Sequence, residues 1–126
     1  MSEMSDKEIC LCTVSRVVDI IARKWSLFAL NIIGKSERLR FNQIMDQLSG
    51  VSPTTLTETL DQLVTHGLIR RTSYPEIPPR VEYSLTTQGI GLRDAIRPLM
   101  LWAIQNDPVS ARDPKCPPFA RVSMFP

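Results

Sequence analysis

The clearest hydrophobic pattern in the chain is a pair of short helical repeats between residues 41 and 67. In the first repeat, the apolar residues follow the i, i+3, i+4, i+7 spacing of one helix face, and they are Phe41, Ile44, Met45 and Leu48. The second repeat places Leu56, Leu60 and Leu63 on one face. Because Ser49 and Gly50 separate the two repeats, the pattern predicts two short helices joined by a tight turn.

The ends of the second helix carry residues that are typical of helix caps. Ser52 can accept hydrogen bonds from the free backbone N–H groups of the first turn, and Pro53 fits the first helical position because the N–H it lacks has no partner there. At the other end, Gly67 suits a left-handed C-terminal cap, and Leu68 is placed for the accompanying apolar contact. Two capped helices with a glycine turn between them predict a helix-turn-helix, whose second helix lies in a DNA major groove.

Further helices are predicted on both sides of this pair. The apolar positions of residues 13–33 predict a helical region that ends at Gly34, followed by a polar loop at 35–38 and a very short strand at 39–41. Residues 87–106 also keep helical spacing, and Pro98 inside them is expected to kink the helix because it removes one hydrogen bond.

The periodicity changes to that of strands after Gly67. Residues 68–74 and 81–86 are both strand-compatible, and the second segment alternates cleanly between apolar and polar positions. The prolines of residues 75–80 cannot donate to a sheet, so this segment is predicted to be a protruding hairpin tip. The predicted fold is therefore α+β, a mainly helical winged helix-turn-helix with a two- to three-stranded antiparallel wing.

Length and composition agree with one small globular domain. The chain has 126 residues, of which 43% are hydrophobic and 22% charged. We expect an N-terminal arm at 1–12, a winged-helix domain for DNA binding and dimerisation at 13–107, and a proline-rich C-terminal tail at 108–126. The tail is either flexible or an extended strip that docks through Phe119, Met124 and Phe125.

Charge and cysteine content narrow the class of protein further. The net charge of +2 is compatible with nucleic acid but does not demonstrate it. The three cysteines lack the spacing of a metal site or a disulfide scaffold, which favours a reducing compartment. No apolar run approaches the length that spans a membrane. We therefore expect a cytoplasmic protein with no cofactor, no metal and no membrane partner.

The chain closely resembles the HxlR-type winged-helix transcriptional regulators, which are relatives of the MarR group. The resemblance covers about residues 12–104 and is carried by Cys12, by Lys24-Trp25-Ser26-Leu27, by 40–44, by Val51-Ser52-Pro53 and, most specifically, by the wing from Tyr74 to Thr86. It implies a homodimer that binds double-stranded operator DNA with the second helix of the pair and the wing, and that dimerises through its N- and C-terminal helices. It also implies an oxidant or small-molecule effector, with sensing at the N-terminal cysteine.

The chain departs from the family pattern in three places. Thr13 follows Cys12 where a proline is common, and Ala22-Arg23 stand where glycines often precede the Lys-Trp pair. Thr54 and Thr55 occupy the start of the recognition helix, where a basic residue is common. The third departure affects the operator sequence and part of the DNA affinity.

The second helix of the pair is predicted to read bases. Residues 41–67 contain three acids and no Lys or Arg, which gives a charge of −3, so this segment cannot supply the counterion release that dominates phosphate binding. We expect its base-reading residues to be Ser52, Thr54, Thr55, Thr57 and Glu58, with the Glu58 carboxylate accepting from a cytosine amino group. Asp61 is explained equally well as a solvated residue, and for the whole set the alternative is an ordinary solvated helix face.

Basic residues on both sides of this segment are predicted to contact the DNA backbone. They are Lys35, Arg38 and Arg40 before it, and Arg70, Arg71 and Arg80 after it. Arg80 could instead enter the minor groove from the wing tip, or simply pair with Glu76 and Glu82. Arg70 and Arg71 point to opposite faces of a strand, so at most one of them is expected to face DNA.

The cysteines are candidates for a redox switch. Cys10 and Cys12 lie near a helix N-terminus, which can lower a thiol pKa, and oxidation could give a sulfenate or a disulfide to the partner's Cys116. The alternative is a set of inert thiols.

His66 is the only histidine, and no metal cluster, nucleophile motif or phosphate loop is present, so we do not expect an enzyme. The acidic recognition helix leaves a second hypothesis, a winged-helix module for protein interaction or assembly.

Overall fold

The computed structural model describes residues 8–106 and 115–121, in which helices pack against a three-stranded sheet. The elements are a 3₁₀ turn at Leu11–Val14, α1 (Ser15–Ile21), α2 (Lys24–Ser36), β1 (Leu39–Arg40), α3 (Phe41–Gln47), α4 (Pro53–Thr65), β2 (Ile69–Tyr74), β3 (Arg80–Leu85), α5 (Thr87–Asn106) and a second 3₁₀ turn at Pro118–Ala120. This order confirms the predicted winged helix-turn-helix, with α3 and α4 as the helix pair and β2 and β3 as the wing.

The three strands form one antiparallel sheet in the order β1-β3-β2. Ile69 pairs with Leu85 at one end of the hairpin, and Tyr74 pairs with Arg80 at the tip. Directly opposed residues share a face of the sheet. Arg71 therefore shares a face with the buried Tyr83, and the residues beside it in sequence lie on the other face.

The core is built mainly by apolar side chains of α2, α3 and α4. The fully buried ones include Leu30, Ile32, Ile33, Ile44, Leu48, Leu56, Leu60, Leu63 and Ile69. Burial of a side chain of this size contributes about 1.5–3 kcal/mol relative to exposure. The inward faces predicted for the two helices of the pair are therefore confirmed.

The C-terminal end of α4 has the backbone geometry of a Schellman motif. Gly67 has a φ of 73°, its N–H donates to the Val64 carbonyl at 2.9 Å, and the Leu68 N–H donates to the Leu63 carbonyl at 2.9 Å. A positive φ is costly for residues with a Cβ atom, which explains glycine at this position. The predicted helix end is confirmed, and it directs the chain from α4 into β2.

The prediction that Gly34 ends the helix before the pair is wrong, because α2 continues to Ser36. A Cβ atom at position 34 would lie 2.6 Å from Arg93 Cδ and 2.9 Å from Leu85 Cδ1. Glycine therefore leaves room here for the side chains of Arg93 on α5 and Leu85 on β3, and the chain turns instead at Glu37, whose φ is 63°. Lys35 and Ser36 are consequently helical, whereas the sequence predicted a loop.

Helix α5 extends over Thr87–Asn106 and includes Pro98, as the sequence predicted. Ile90, Leu99 and Trp102 are exposed along it. Part of the tail is docked, because Phe119 packs against the core, whereas Met124 and Phe125 lie outside the described residues. In the described part of the chain, no helix has the length and apolar character needed to cross a membrane.

The two glycines at the start of α5 provide a matched test of this packing. A Cβ atom at Gly89 would lie 2.0 Å from the Leu68 carbonyl oxygen, whereas at Gly91 nothing lies within 4 Å. We expect Gly89→Ala to lower the free energy of unfolding by about 1–3 kcal/mol, because the backbone of Leu68 must move. Gly91→Ala should raise it by about 0.5–1 kcal/mol through helix propensity. Urea titration measures both changes, and equal stability of the two variants would contradict the close packing.

Candidate DNA-binding surface

The N-terminus of α4 is held by its predicted cap. Ser52 Oγ accepts a hydrogen bond from the Thr55 N–H at 3.1 Å and lies 2.9 Å from Thr55 Oγ1. Pro53 occupies the first helical turn, as expected. The structure therefore brings the hydroxyl groups of Ser52 and Thr55 together at the exposed start of the helix.

One face of α4 is polar and exposed. Thr54, Thr57, Glu58 and Asp61 are exposed, Thr55 is half-buried, and Leu56, Leu60 and Leu63 face the core. The Thr57 hydroxyl donates to the Pro53 carbonyl at 2.9 Å, so its oxygen lone pairs remain free to accept. The helix wheel read from the sequence matches this arrangement.

Arg38 and Arg40 flank a polar cleft at the start of α3. The cleft has a volume of about 220 Å³ and is also lined by Leu39, Gln43 and Glu82. The Arg38 side chain is 69% exposed, and its Nη1 lies 3.9 Å from Glu82 Oε2, which is a weak surface ion pair. The Arg40 N–H donates to Gln43 Oε1 at 2.8 Å, and its side chain is exposed. Both guanidinium groups are therefore accessible.

Arg70 and Arg71 are exposed on opposite faces of β2, as the sequence predicted. Burial raises the pKa of the Tyr83 phenol, while the charge of Arg71 acts to lower this pKa and that of Asp61 acts to raise it. Arg71 and Asp61 are thus both close enough to influence the same hydroxyl group. The positively charged Arg71 of the wing therefore lies on the side of the sheet where the acidic helix α4 packs.

Arg80 is held by neighbouring side chains at the wing. Its Nη2 lies 3.0 Å from Glu76 Oε1, its Nε lies 3.5 Å from Glu82 Oε1, and its guanidinium lies 4.1 Å from the centre of the Tyr74 ring. Of the alternatives drawn from the sequence, pairing with the two glutamates describes this structure. These contacts join the wing tip to both strands of the hairpin.

Lys35 faces the C-terminal segment. Its Nζ donates to the Pro118 carbonyl at 3.2 Å. Burial lowers the pKa of this ammonium group, and the nearby charges of Arg93 and Arg121 lower it further. Lys35 was expected beside Arg38 and Arg40 in a polar loop, but the extension of α2 gives it a different set of neighbours.

Cys10 and Cys12 lie at the 3₁₀ turn that precedes α1, and both are exposed free thiols. Cys10 caps this turn, and its Sγ accepts from the Cys12 N–H at 3.2 Å. Hydrogen bonding from the Cys12 side chain, followed by that from the Cys12 backbone, holds the pKa of the Cys10 thiol below its usual value. Cys116 is also a free thiol, half-buried in the C-terminal segment.

Two contacts that the sequence did not reveal attach the N-terminal region to α4. Arg23 Nη1 donates to Gln62 Oε1 at 2.7 Å, and Arg16 Nε donates to His66 Nδ1 at 3.1 Å. The partners are 39 and 50 residues apart, so no local pattern could indicate them. His66 thus helps to attach α1 to the end of α4. Within residues 8–106 and 115–121, no group of three or more His, Cys, Asp or Glu side chains could hold a metal ion.

Comparison with known proteins identifies relatives of the same architecture. The HxlR-like helix-turn-helix family matches residues 20–110. A helix-turn-helix transcriptional regulator of Synechocystis is 52% identical over 79 residues, which cover 63% of this chain and 58% of that relative. One from Methanothermobacter thermautotrophicus is 39% identical over 100 residues, covering 79% of this chain and 75% of that relative.

Solved structures show the same fold. A MarR-family protein from Enterococcus faecalis V583 superposes with a TM-score of 0.75 at 30% identity, covering 86% of this chain and 97% of that one. The redox regulator HypR in its oxidized form superposes with a TM-score of 0.66 at 29% identity, covering 75% of this chain and 97% of that one.

Proposed function

The chain belongs to the HxlR-like helix-turn-helix family, whose relatives are transcriptional regulators, and we propose that it binds a specific operator in double-stranded DNA as a homodimer. The observation that carries this proposal is the geometry of α4. A firmly capped helix presents an exposed polar face, and exposed arginines lie before and after it in the winged-helix unit.

In this proposal α4 reads bases in the major groove. Ser52, Thr54, Thr55 and Thr57 offer hydroxyl and methyl groups to base edges, and the exposed Glu58 carboxylate can accept from a cytosine amino group. The helix carries no basic residue, so phosphate attraction must come from elsewhere.

Phosphate contacts are assigned to the exposed arginines around α4. Arg38 and Arg40 lie before α3, and Arg70 and Arg71 lie on β2. Arg80 is a weaker candidate for direct contact, because it would have to leave two carboxylates and an aromatic ring to reach DNA. Its proposed contribution is to hold the wing in the shape that meets the backbone.

The homodimer is supported by apolar surface outside the core. Leu11, Val14 and Val18 are exposed near the N-terminus, and Leu99 and Trp102 are exposed on α5. Large apolar side chains exposed on both terminal helices are available to pack against a second copy of the chain. Pairing these helices with those of a second copy creates a two-fold axis, which would place two recognition helices about 34 Å apart, one turn of DNA.

Selection of bound duplexes from a random pool tests the proposal directly. We expect a near-palindromic sequence whose half-sites are about one helical turn apart, because two symmetric helices read it. Recovery of a single unrepeated site would contradict the homodimer. Failure to select any sequence at low salt would contradict operator binding and favour the winged-helix module for protein interaction.

Alanine variants distinguish the residues proposed to contact DNA phosphates from those proposed to contact bases. We expect Arg40→Ala to weaken binding to every duplex and to reduce the slope of log K against log salt by about 0.9, the value of one lost phosphate contact. Arg70→Ala and Arg71→Ala should differ from each other, since they lie on opposite faces of β2. Thr55→Ala should instead change which base is preferred at one position.

A matched control for these variants is Arg97→Ala. Arg97 lies on α5 and pairs with Asp94 at 3.3 Å, and its removal changes the net charge by the same amount. If Arg97→Ala and Arg40→Ala flatten the salt dependence equally, the assignment of phosphate contacts is wrong.

We also propose that the regulator responds to oxidants through Cys10. The exposed thiol has a lowered pKa, which favours the reactive thiolate. A structural relative at 29% identity is the redox regulator HypR. Oxidation of the thiolate to a sulfenate would alter the turn that precedes α1.

The pH dependence of operator release by hydrogen peroxide tests this response. A lowered pKa keeps the thiolate present to lower pH than in an ordinary cysteine, so the response should be lost only as the pH falls through that lowered value. Cys10→Ser should abolish the response, while Cys116→Ser should retain it. An unchanged response in Cys10→Ser would exclude Cys10 as the sensor and leave Cys12 as the candidate.

A further inference from the structure

The segment 115–121 lies beyond the part of the chain that matches the family, which ends at residue 110, and yet it is docked against α2. Asn31 Nδ2 donates to the Phe119 carbonyl at 3.0 Å and to the Arg121 carbonyl at 2.8 Å. Lys35 Nζ donates to the Pro118 carbonyl. These side chains of α2 therefore bind the main chain of the segment, as a receptor binds an extended peptide.

One aromatic side chain anchors the segment. The Phe119 ring lies 4.9 Å from the Phe28 ring and 6.2 Å from the Trp25 ring, measured between centroids. Phe28 and Trp25 pack edge to face at 5.8 Å, which is a favourable aromatic geometry. A single aromatic anchor in such a cleft is the usual centre of a peptide-binding interface.

Contacts within the main fold hold the groove in its binding geometry. Asn31 is 6% exposed, and its Oδ1 accepts from Arg93 Nη2 at 3.3 Å, so α5 orients the amide and leaves both N–H groups for the segment. The segment itself contains a short 3₁₀ turn. In this turn the Ala120 N–H donates a hydrogen bond to the Pro117 carbonyl at 3.0 Å.

Like charges oppose the docked state. Arg121 of the segment lies close enough to Lys35 to lower the pKa of its ammonium group, after burial and Arg93. Three hydrogen bonds and one aromatic anchor hold the segment against this repulsion, and Cys116 of the same segment acts to raise the Lys35 pKa.

We propose that Trp25, Phe28, Asn31 and Lys35 form a peptide-binding groove on α2, and that the chain's own segment 115–121 occupies it as a separable ligand. Docking also completes a neighbouring apolar cavity of about 270 Å³ between α2 and α5. Ala120 of the segment lines it together with Leu27, Leu30, Ile96, Leu99 and Met100. Release of the segment would therefore open this cavity and expose the aromatic groove together.

The test uses the 126-residue chain with Phe119→Ala, which removes the aromatic anchor and weakens the binding of the tethered segment to the groove. The probe is a fluorescently labelled peptide of residues 115–121 that carries Cys116→Ser, and its binding is followed by anisotropy. We expect it to bind Phe119→Ala at least about tenfold more tightly than the wild type, because the tethered segment competes at a high effective concentration. Phe119→Leu should give an intermediate value.

Two controls address the specificity of the groove. A peptide that also carries Phe119→Ala should not bind. Adding Asn31→Asp to the Phe119→Ala chain keeps an acceptor for Arg93 but removes the N–H donors, and it should abolish peptide binding. Equal affinity for the wild type and Phe119→Ala, binding to neither, or retention of binding with Asn31→Asp would each overturn the proposal. Operator binding is a separate measurement and does not affect this outcome.

Discussion

Close packing around α2 is the constraint on which the rest of the structure depends. This helix contacts α1, α3, α4, α5, β3 and the C-terminal segment, and Ala29, Leu30, Ile32 and Ile33 are at most 1% exposed. At Gly34 the side chains of Leu85 on β3 and Arg93 on α5 occupy the space that a Cβ atom would take. Because α2 is surrounded, a shift of any one element must be accommodated by the others, and close-packed interiors accommodate little.

Helix α4 has an apolar inner face and a polar outer face. Leucines at 56, 60 and 63 fix it to the core, its two caps fix its ends, and its outer face stays polar without a positive charge. Exposed arginines on neighbouring elements carry the charge instead. In the proposed complex, binding to the DNA phosphates and recognition of the bases would thus depend on different side chains. The two properties could therefore change independently.

Local chemistry made most of the fold predictable. Ser52, Pro53 and Gly67 determine where α4 begins and ends through backbone hydrogen bonds within a few residues, and prolines at the wing tip exclude a sheet interior. Gly34 was misread because tertiary packing overrides its helix propensity. The pairing of Arg80, the orientation of Lys35 and the anchors from Arg16 and Arg23 depend on contacts across the fold, which local periodicity does not contain.

The two anchors from Arg16 and Arg23 attach only the C-terminal half of α4, at Gln62 and His66. A helix of 13 residues is about 20 Å long, and the residues proposed to read DNA begin at the opposite end. A tilt of the whole helix relative to the core, with these two contacts as its pivot, would therefore move the opposite end most. A tilt of about 10° at that pivot would move the reading end by about 3 Å, close to the roughly 3.4 Å spacing of successive base pairs. In the proposed complex, such a tilt would be enough to change which base pair the helix meets.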